Sequence, residues 1–483
     1  MSIADCQFYP VYINALAFWQ GHFKNKMVRE NKYKIYTLGC KVNQYDSRTL
    51  AGKLKAAGFS LVKNDADLVI INTCAVTKIA IQKGRQMINR ARKENPGARI
   101  IVTGCWPKVY EIDGLRDAEI VADEQRLESF VSKLKIKNSE LKVTNQNLEL
   151  LACHQTGSPG NGDRSRYFIK VQDGCEQFCS YCVIPYARGK LKSRDKDEVI
   201  AEINEAVKNG FREIILCGIH LGLYGKDSGS KKLEVRSEKP EIRKGEDQSN
   251  LVNLLRKVIR IENLGRVRLS SIEITEVNDR LIRLLSGNNK MCKHLHIPLQ
   301  SGSDKILKLM NRPYGVKNYE LRIKNIRKLM PDIAITTDII VGFPGETEAD
   351  FMGTYNFIKE IKFSRLHVFP FSAHEKTPAA KMPGAVSDEI KQRRVKKLKM
   401  LGEALSREYE KKFIGRELYV IVGGKKAGDK LIGKSEYYFD IAFDKSLIVK
   451  DKTGRKNREK EDDRDRGFTG RLVKVKFGKE RMV

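Results

Sequence analysis

Residues 168–182 read FIKVQDGCEQFCSYC, a strand-like run that opens into a loop carrying Cys175, Cys179 and Cys182. Three thiolates at C-x3-C-x2-C spacing can hold three corners of a [4Fe–4S] cube, and ferredoxin-type runs add a fourth cysteine close by. Here the next cysteine is Cys217, inside the strand-like stretch REIILCG (212–218). One iron would therefore lack a protein ligand. A structural zinc site is the competing reading, but zinc closes its site with four ligands and the fourth is missing. An open iron can chelate the amino and carboxylate groups of a methionine moiety. Reductive cleavage of S-adenosylmethionine then yields a 5′-deoxyadenosyl radical, with the cofactor carrying the difficult chemistry and the protein positioning it.

Downstream, REIILCG is followed by VRLSSIEI (267–274), HLHIPL (294–299), AITTDIIVGF (334–343) and RLHVFPF (365–371), with helical patterns between them. With FIKVQ (168–172) this makes six strand–helix units, which predict a partial (β/α)6 barrel of the TIM type. Upstream, KIYTLG runs into Cys40, DLVIINT into Cys74 and ARIIVTG into Cys105, with helices over 45–57 and 79–94. Alternation of this kind predicts a parallel α/β sheet, whose ligands bind at the carboxyl ends of the strands. All three cysteines fall at such ends. Three buried small hydrophobes would be expected inside strands, so the positions favour a second three-cysteine cluster with its own open iron.

The remaining segments frame these domains. Residues 1–32 are an N-terminal extension, with Met27 an alternative start. The α/β cluster domain spans 33–140, a polar linker 141–160, the barrel domain 161–412 and a C-terminal unit 413–483. The last contains ELYVIV, YYFDIAF, SLIVK and RLVKVKF, short strands broken by glycines and charges, which predict a small β-barrel. Residues 225–250 and 450–467 read as solvated insertions. A charged helix is expected over 386–412.

Lys plus Arg number 91 against 60 Asp plus Glu, a formal net charge of +31. So positive a field favours a polyanionic partner, nucleic acid being the commonest. The ten cysteines lie in a long chain without a recognisable signal peptide, which favours metal binding or catalysis in the cytoplasm over a disulfide scaffold. No apolar run reaches the ~18 residues of a membrane span.

The sequences TLGCKVNQYDS (37–47), INTCAVT (71–77), VTGC (102–105) and QDGCEQFCSYCVIPYARG (172–189) resemble the methylthiotransferase family of radical S-adenosylmethionine enzymes. So do SSIE (270–273), HLHIPLQSGSD (294–304), DIIVGFPGETE (338–348) and HVFPFS (367–372). The resemblance implies a C-terminal TRAM-like RNA-binding barrel and two [4Fe–4S] clusters. One would be held by Cys40, Cys74 and Cys105, the other by Cys175, Cys179 and Cys182. It implies two S-adenosylmethionines, one methylating sulfur on the auxiliary cluster and one forming the radical, with Tyr181 beside the adenine. It also implies a tRNA anticodon stem-loop as substrate, a reductant such as flavodoxin or ferredoxin, and a monomeric enzyme. GCKVNQ (39–44) and HVFPFS resemble the branch that acts on threonylcarbamoyladenosine at tRNA position 37. The isopentenyladenosine branch, a ribosomal-protein branch and a non-catalytic iron–sulfur RNA-binding protein are the alternatives. Arg188 and Lys190 follow the cysteine loop, where either can reach a substrate carboxylate and Arg188 can equally serve the cofactor.

Other residues carry plainer expectations. Cys217 and Cys292 read as core, Cys6 and Cys153 as bystanders. His294 and His296 alternate on a strand, and Gly342–Gly345 is a strand-end turn near the cofactor rather than a phosphate loop. The KQRRVKKLK run (391–399) reads as a solvated helix face, with RNA contact the alternative.

Overall fold

The computed structural model describes residues 31–112, 118–121, 165–227, 250–451 and 469–478. The expectations for the N-terminal extension, the linker, Cys6, Cys153 and most of both insertions lie outside these residues.

The first unit is a parallel sheet of β1 (Lys32–Thr37), β2 (Ser60–Leu61), β3 (Leu68–Thr73), β4 (Arg99–Gly104) and β5 (Ala118–Ile120), in the order β2-β1-β3-β4-β5. Every residue of β3 is buried, as a central parallel strand covered on both faces requires. Helix α1 (Lys41–Ala56) begins directly after Cys40, α2 (Lys78–Glu94) follows Cys74, and the short α3 (Cys105–Val109) starts on Cys105 itself. The Thr77 hydroxyl accepts from the Ala80 amide and caps α2.

The second unit holds β6 (Arg166–Asp173), the short antiparallel β7 (Lys192–Ser193), β8 (Glu213–Gly218) and β9 (Arg266–Leu269) in one sheet. A second sheet holds β10 (His294–His296), β11 (Ala334–Val341) and β12 (Arg365–Pro370). Parallel bridges Val267–Met291 and Ser271–His296 join the two. The six parallel strands β6, β8, β9, β10, β11 and β12 thus form the expected partial barrel. VRLSSIEI is strand only to Leu269; beyond it Ser271 makes an isolated parallel bridge to His296. Outward side chains such as Tyr167, Ile169, Ile214, Leu216, Ile339 and Val341 pack under the helices in one core. Helix α4 (Ile184–Arg188) follows the cysteine loop. The long charged helix, Asp388–Lys411, leads out of the barrel; Arg394, Val395 and Leu398 on it are buried and Lys391 is largely covered against Gly342, while its other basic residues face outward.

The tail forms a five-stranded antiparallel half-barrel of β13 (Glu417–Ala427), β14 (Lys430–Ser435), β15 (Asp440–Phe443), β16 (Ile448–Asp451) and β17 (Leu472–Lys476). β14 is an addition to the sequence reading: KLIGKS looks polar, yet alternate residues are buried against β13.

This half-barrel docks on the amino ends of the barrel strands, opposite the cysteine loops. Glu213 at the start of β8 is fully buried and accepts from Arg266 Nε at 2.6 Å and Arg268 Nε at 2.9 Å. The rest of both guanidinium groups donates to tail carbonyls: Arg266 to Tyr419 and Lys434, Arg268 to Ser435 and Glu436. Buried charges need this degree of pairing to be tolerated. Burial opposes the Glu213 carboxylate, but the two guanidinium groups overcome it and hold its pKa down at about 2.

Candidate active site

Cys40, Cys74 and Cys105 are brought together at the carboxyl ends of β1, β3 and β4. Gly39 has φ of +106° and a side chain there would lie 2.9 Å from Cys74 Cβ; Gly104 has φ of +97° and a side chain would meet Asn72 and Thr73 at 2.4 Å. Glycine alone lets these two turns deliver their cysteines so close to Cys74. Asn43, one turn into α1, is the centre of the group. The Cys40 and Cys105 thiols donate to its Oδ1 at 3.7 and 3.9 Å, and its Nδ2 donates to the Leu38 and Thr73 carbonyls. The Val76 amide donates to Cys74 Sγ at 3.5 Å. Burial pushes the Cys74 thiol up to about 11 and raises Cys105 as well.

The second triad lies at the carboxyl end of β6. The Cys175 amide bonds to Gly189 O and the Cys182 amide to Cys179 O, closing the loop. Phe178 adopts a positive φ of 47° inside it. Arg312 Nη1 donates to Cys179 Sγ at 3.3 Å and pairs through Nη2 with Glu273. Cys175 Sγ lies 3.4 Å from His220 Nδ1, and His220 Nε2 lies 2.5 Å from Glu276. Burial pushes the Cys182 thiol up to about 12 and raises Cys179.

Buried thiols of this kind remain protonated and inert unless a cationic centre stabilises the thiolate. Six soft sulfur donors in two groups of three at strand ends are the donor set that suits iron–sulfur clusters. Each triad leaves one corner of a cube without a cysteine among the described residues.

Residues 169–358 match the Radical SAM superfamily, and residues 32–124 match the uncharacterized protein family UPF0004. The chain is 38% identical over 421 residues to threonylcarbamoyladenosine tRNA methylthiotransferase MtaB of Bacillus subtilis (strain 168), covering 85% of this chain and 89% of that protein. It is 36% identical over 422 residues to the Thermotoga maritima protein of the same name, covering 85% and 91%. This chain belongs to the radical S-adenosylmethionine methylthiotransferases. It is also 35% identical over 430 residues to tRNA-2-methylthio-N(6)-dimethylallyladenosine synthase of Clostridium novyi (strain NT), covering 85% and 90%. Family membership brings S-adenosylmethionine and a [4Fe–4S] cluster to the methylthiotransferase.

The two triads of the methylthiotransferase meet across Arg188. Its guanidinium donates to Asn43 Oδ1 at 2.5 Å, to Asp46 at 2.8 Å and to Asp173 at 3.1 Å. Asn43 carries the first triad, and Asp173 stands two residues before Cys175. Lys170 joins the same carboxylates, at 2.6 Å from Asp46 and 3.0 Å from Asp173. Arg188 thus bridges the two domains beside Cys105 through its Nη atoms, while its buried Nε makes no hydrogen bond among the described residues. Lys190 is exposed.

Tyr181 packs with Ile306, Met310, Phe343 and Ala379. The Gly342–Gly345 segment is a strand-end turn fixed by Glu346, which accepts from the Gly342 amide and from Arg394, each at 2.6 Å. Phe178 and Tyr186 stand edge-on at 6.1 Å beside the cysteine loop, 52% and 43% exposed. Cys217 and Cys292 are buried, as expected.

In the barrel lumen, His294 and His296 both bond to Thr336 Oγ1, at 3.0 and 2.9 Å. Asp338 pairs with His296 and His367, each at 3.1 Å. Burial opposes the Asp338 carboxylate, but these two imidazoles hold its pKa well below the usual range. Asn43, His220, Glu273 and Arg312 were not singled out from the sequence; Asn43 and Glu273 lie in the quoted GCKVNQ and SSIE stretches, while His220 and Arg312 carry no local signal.

Proposed function

We propose that the chain methylthiolates C2 of N6-threonylcarbamoyladenosine at tRNA position 37. The juxtaposition of two cysteine triads across Arg188 carries this reading, because radical formation and sulfur delivery must converge on one carbon. Cys175, Cys179 and Cys182 hold the radical cluster, and Cys40, Cys74 and Cys105 hold a second [4Fe–4S] cluster. When bound, the two clusters and S-adenosylmethionine supply a 5′-deoxyadenosyl radical and a methylated sulfur.

The chain's own groups do the positioning. Arg312 places positive charge on Cys179, which favours its thiolate, and His220 packs against Cys175. Tyr181 covers the adenine of the cofactor. Phe178 and Tyr186 offer exposed rings on which a base displaced from the anticodon loop can stack. Arg188 fixes the distance between the triads. The net charge of +31 favours the tRNA backbone, and the half-barrel acts as the RNA-binding TRAM-like unit. A flavodoxin or ferredoxin supplies the electron.

Similarity to both threonylcarbamoyl- and dimethylallyladenosine enzymes keeps the isopentenyl substrate as the second reading. Purified, anaerobically reconstituted enzyme offered tRNA carrying each modification separately is expected to turn over the threonylcarbamoyl form preferentially. Preference for the isopentenyl form would transfer the assignment to the other branch. Absence of 5′-deoxyadenosine with either tRNA would leave a non-catalytic RNA-binding protein.

A further inference from the structure

Helix α1 does more than carry Asn43. Val42, two residues after Cys40, packs with Ile215 and Cys217 on the lumen face of β8 and with Phe168 on β6. The first turn of α1 therefore closes the open side of the barrel, and Lys41 stands half-buried at this seam. Its ammonium lies within electrostatic reach of Cys217 on β8, His294 on β10 and Tyr438 from the tail. Among the described residues Lys41 has no hydrogen-bonded or ion-paired partner. By contrast, Arg188 is held by Asp46, Asp173 and Asn43, and Arg312 by Glu273 and Tyr314.

The floor beneath is also built for a negative group. Tyr438, at φ of +74°, reaches into the barrel from the turn between β14 and β15 and stacks on His294 at 4.1 Å. Arg268 and Lys434 lie over its ring, each at 5.1 Å. Burial opposes ionisation of this phenol, yet the surrounding cations, Lys41 foremost, bring its pKa below the ordinary value. Such a field favours an anion.

We infer that Lys41 receives the carboxylate of the substrate's threonylcarbamoyl group in the barrel lumen and so discriminates acidic from apolar N6 substituents. This rests on the function proposed above. A charged hydrogen bond in a partly dry site is strong, and an apolar isopentenyl group would leave the ammonium without a counterion.

The test measures affinity for anticodon stem-loops carrying threonylcarbamoyladenosine or its carboxyl methyl ester, using wild type, Lys41→Gln and Lys41→Arg. Wild type should prefer the acid over the ester by roughly ten- to a hundredfold. Lys41→Gln should bind both alike, and Lys41→Arg should recover part of the preference. Preference for the acid retained in Lys41→Gln, or no preference in wild type, would overturn the inference. The wild-type comparison decides even if Lys41→Gln fails to fold. Failure of the underlying reading shows separately, as absence of methylthio product from threonylcarbamoyl-tRNA with wild-type enzyme.

Discussion

Replacing Cys40, Cys74 and Cys105 together with alanine is expected to abolish the methylthio product while S-adenosylmethionine is still cleaved to 5′-deoxyadenosine under strong reductant. Iron should fall from about eight to about four per chain, as one cube of four is lost. The reason is geometric. The first triad is organised by β1, β3, β4 and Asn43, and the second by β6, Arg312 and His220, so each can be emptied while the other keeps its framework. The converse replacement of Cys175, Cys179 and Cys182 should stop 5′-deoxyadenosine formation and leave the other four irons. Full iron content in the first variant, by chemical assay after anaerobic reconstitution, would contradict the two-cluster reading.

The second large effect concerns stability. Glu213→Ala is expected to destabilise the barrel and its docked half-barrel by about 3–5 kcal/mol, because it leaves Arg266 and Arg268 buried without their counterion. The measurement is the denaturant midpoint of the barrel transition beside wild type. A loss under about 1 kcal/mol would mean that the tail carbonyls alone satisfy both guanidinium groups. The same pairing sets an acid limit. The folded-state pKa of Glu213 is about 2, below its ordinary 4.5, so its contribution is complete above pH 4.5 and lost as pH falls from there toward 2. The docking also bears on the tail's role: deleting 413–483 would strip the acceptors from Arg266 and Arg268, so charge reversal of exposed tail lysines isolates tRNA affinity more cleanly.

The cysteines were legible because chemistry and topology coincide in short stretches. Gly-Cys after an apolar run marks a strand end that must turn tightly, and this places Cys40 and Cys105 without knowledge of the fold. The barrel was legible for the same reason: its outward residues are long apolar runs. What the sequence could not show is which other side chains converge on the cysteines. Arg312 lies 133 residues from the cysteine it touches, and Arg188 lies 145 from Asn43. Nor does a basic composition distinguish surface from interior. Arg188, Arg266, Arg268, Arg312 and Arg394 all have side chains no more than 5% exposed, engaged with carboxylates inside the molecule. β14 was hidden because two of its outward positions are lysines and its inward ones include Gly433 and Ser435, too small to mark a strand.

The central claim is that both triads serve one reaction on one tRNA nucleoside. Mass spectrometry of tRNA nucleosides from cells with the gene, without it, and with it restored tests this most directly. The 2-methylthio derivative of threonylcarbamoyladenosine is expected to disappear on deletion, its unthiolated precursor to accumulate, and both to return to normal on complementation with the intact gene but not with the Cys40, Cys74 and Cys105 triple variant. Unchanged levels of the methylthio nucleoside in the deletion strain would contradict it.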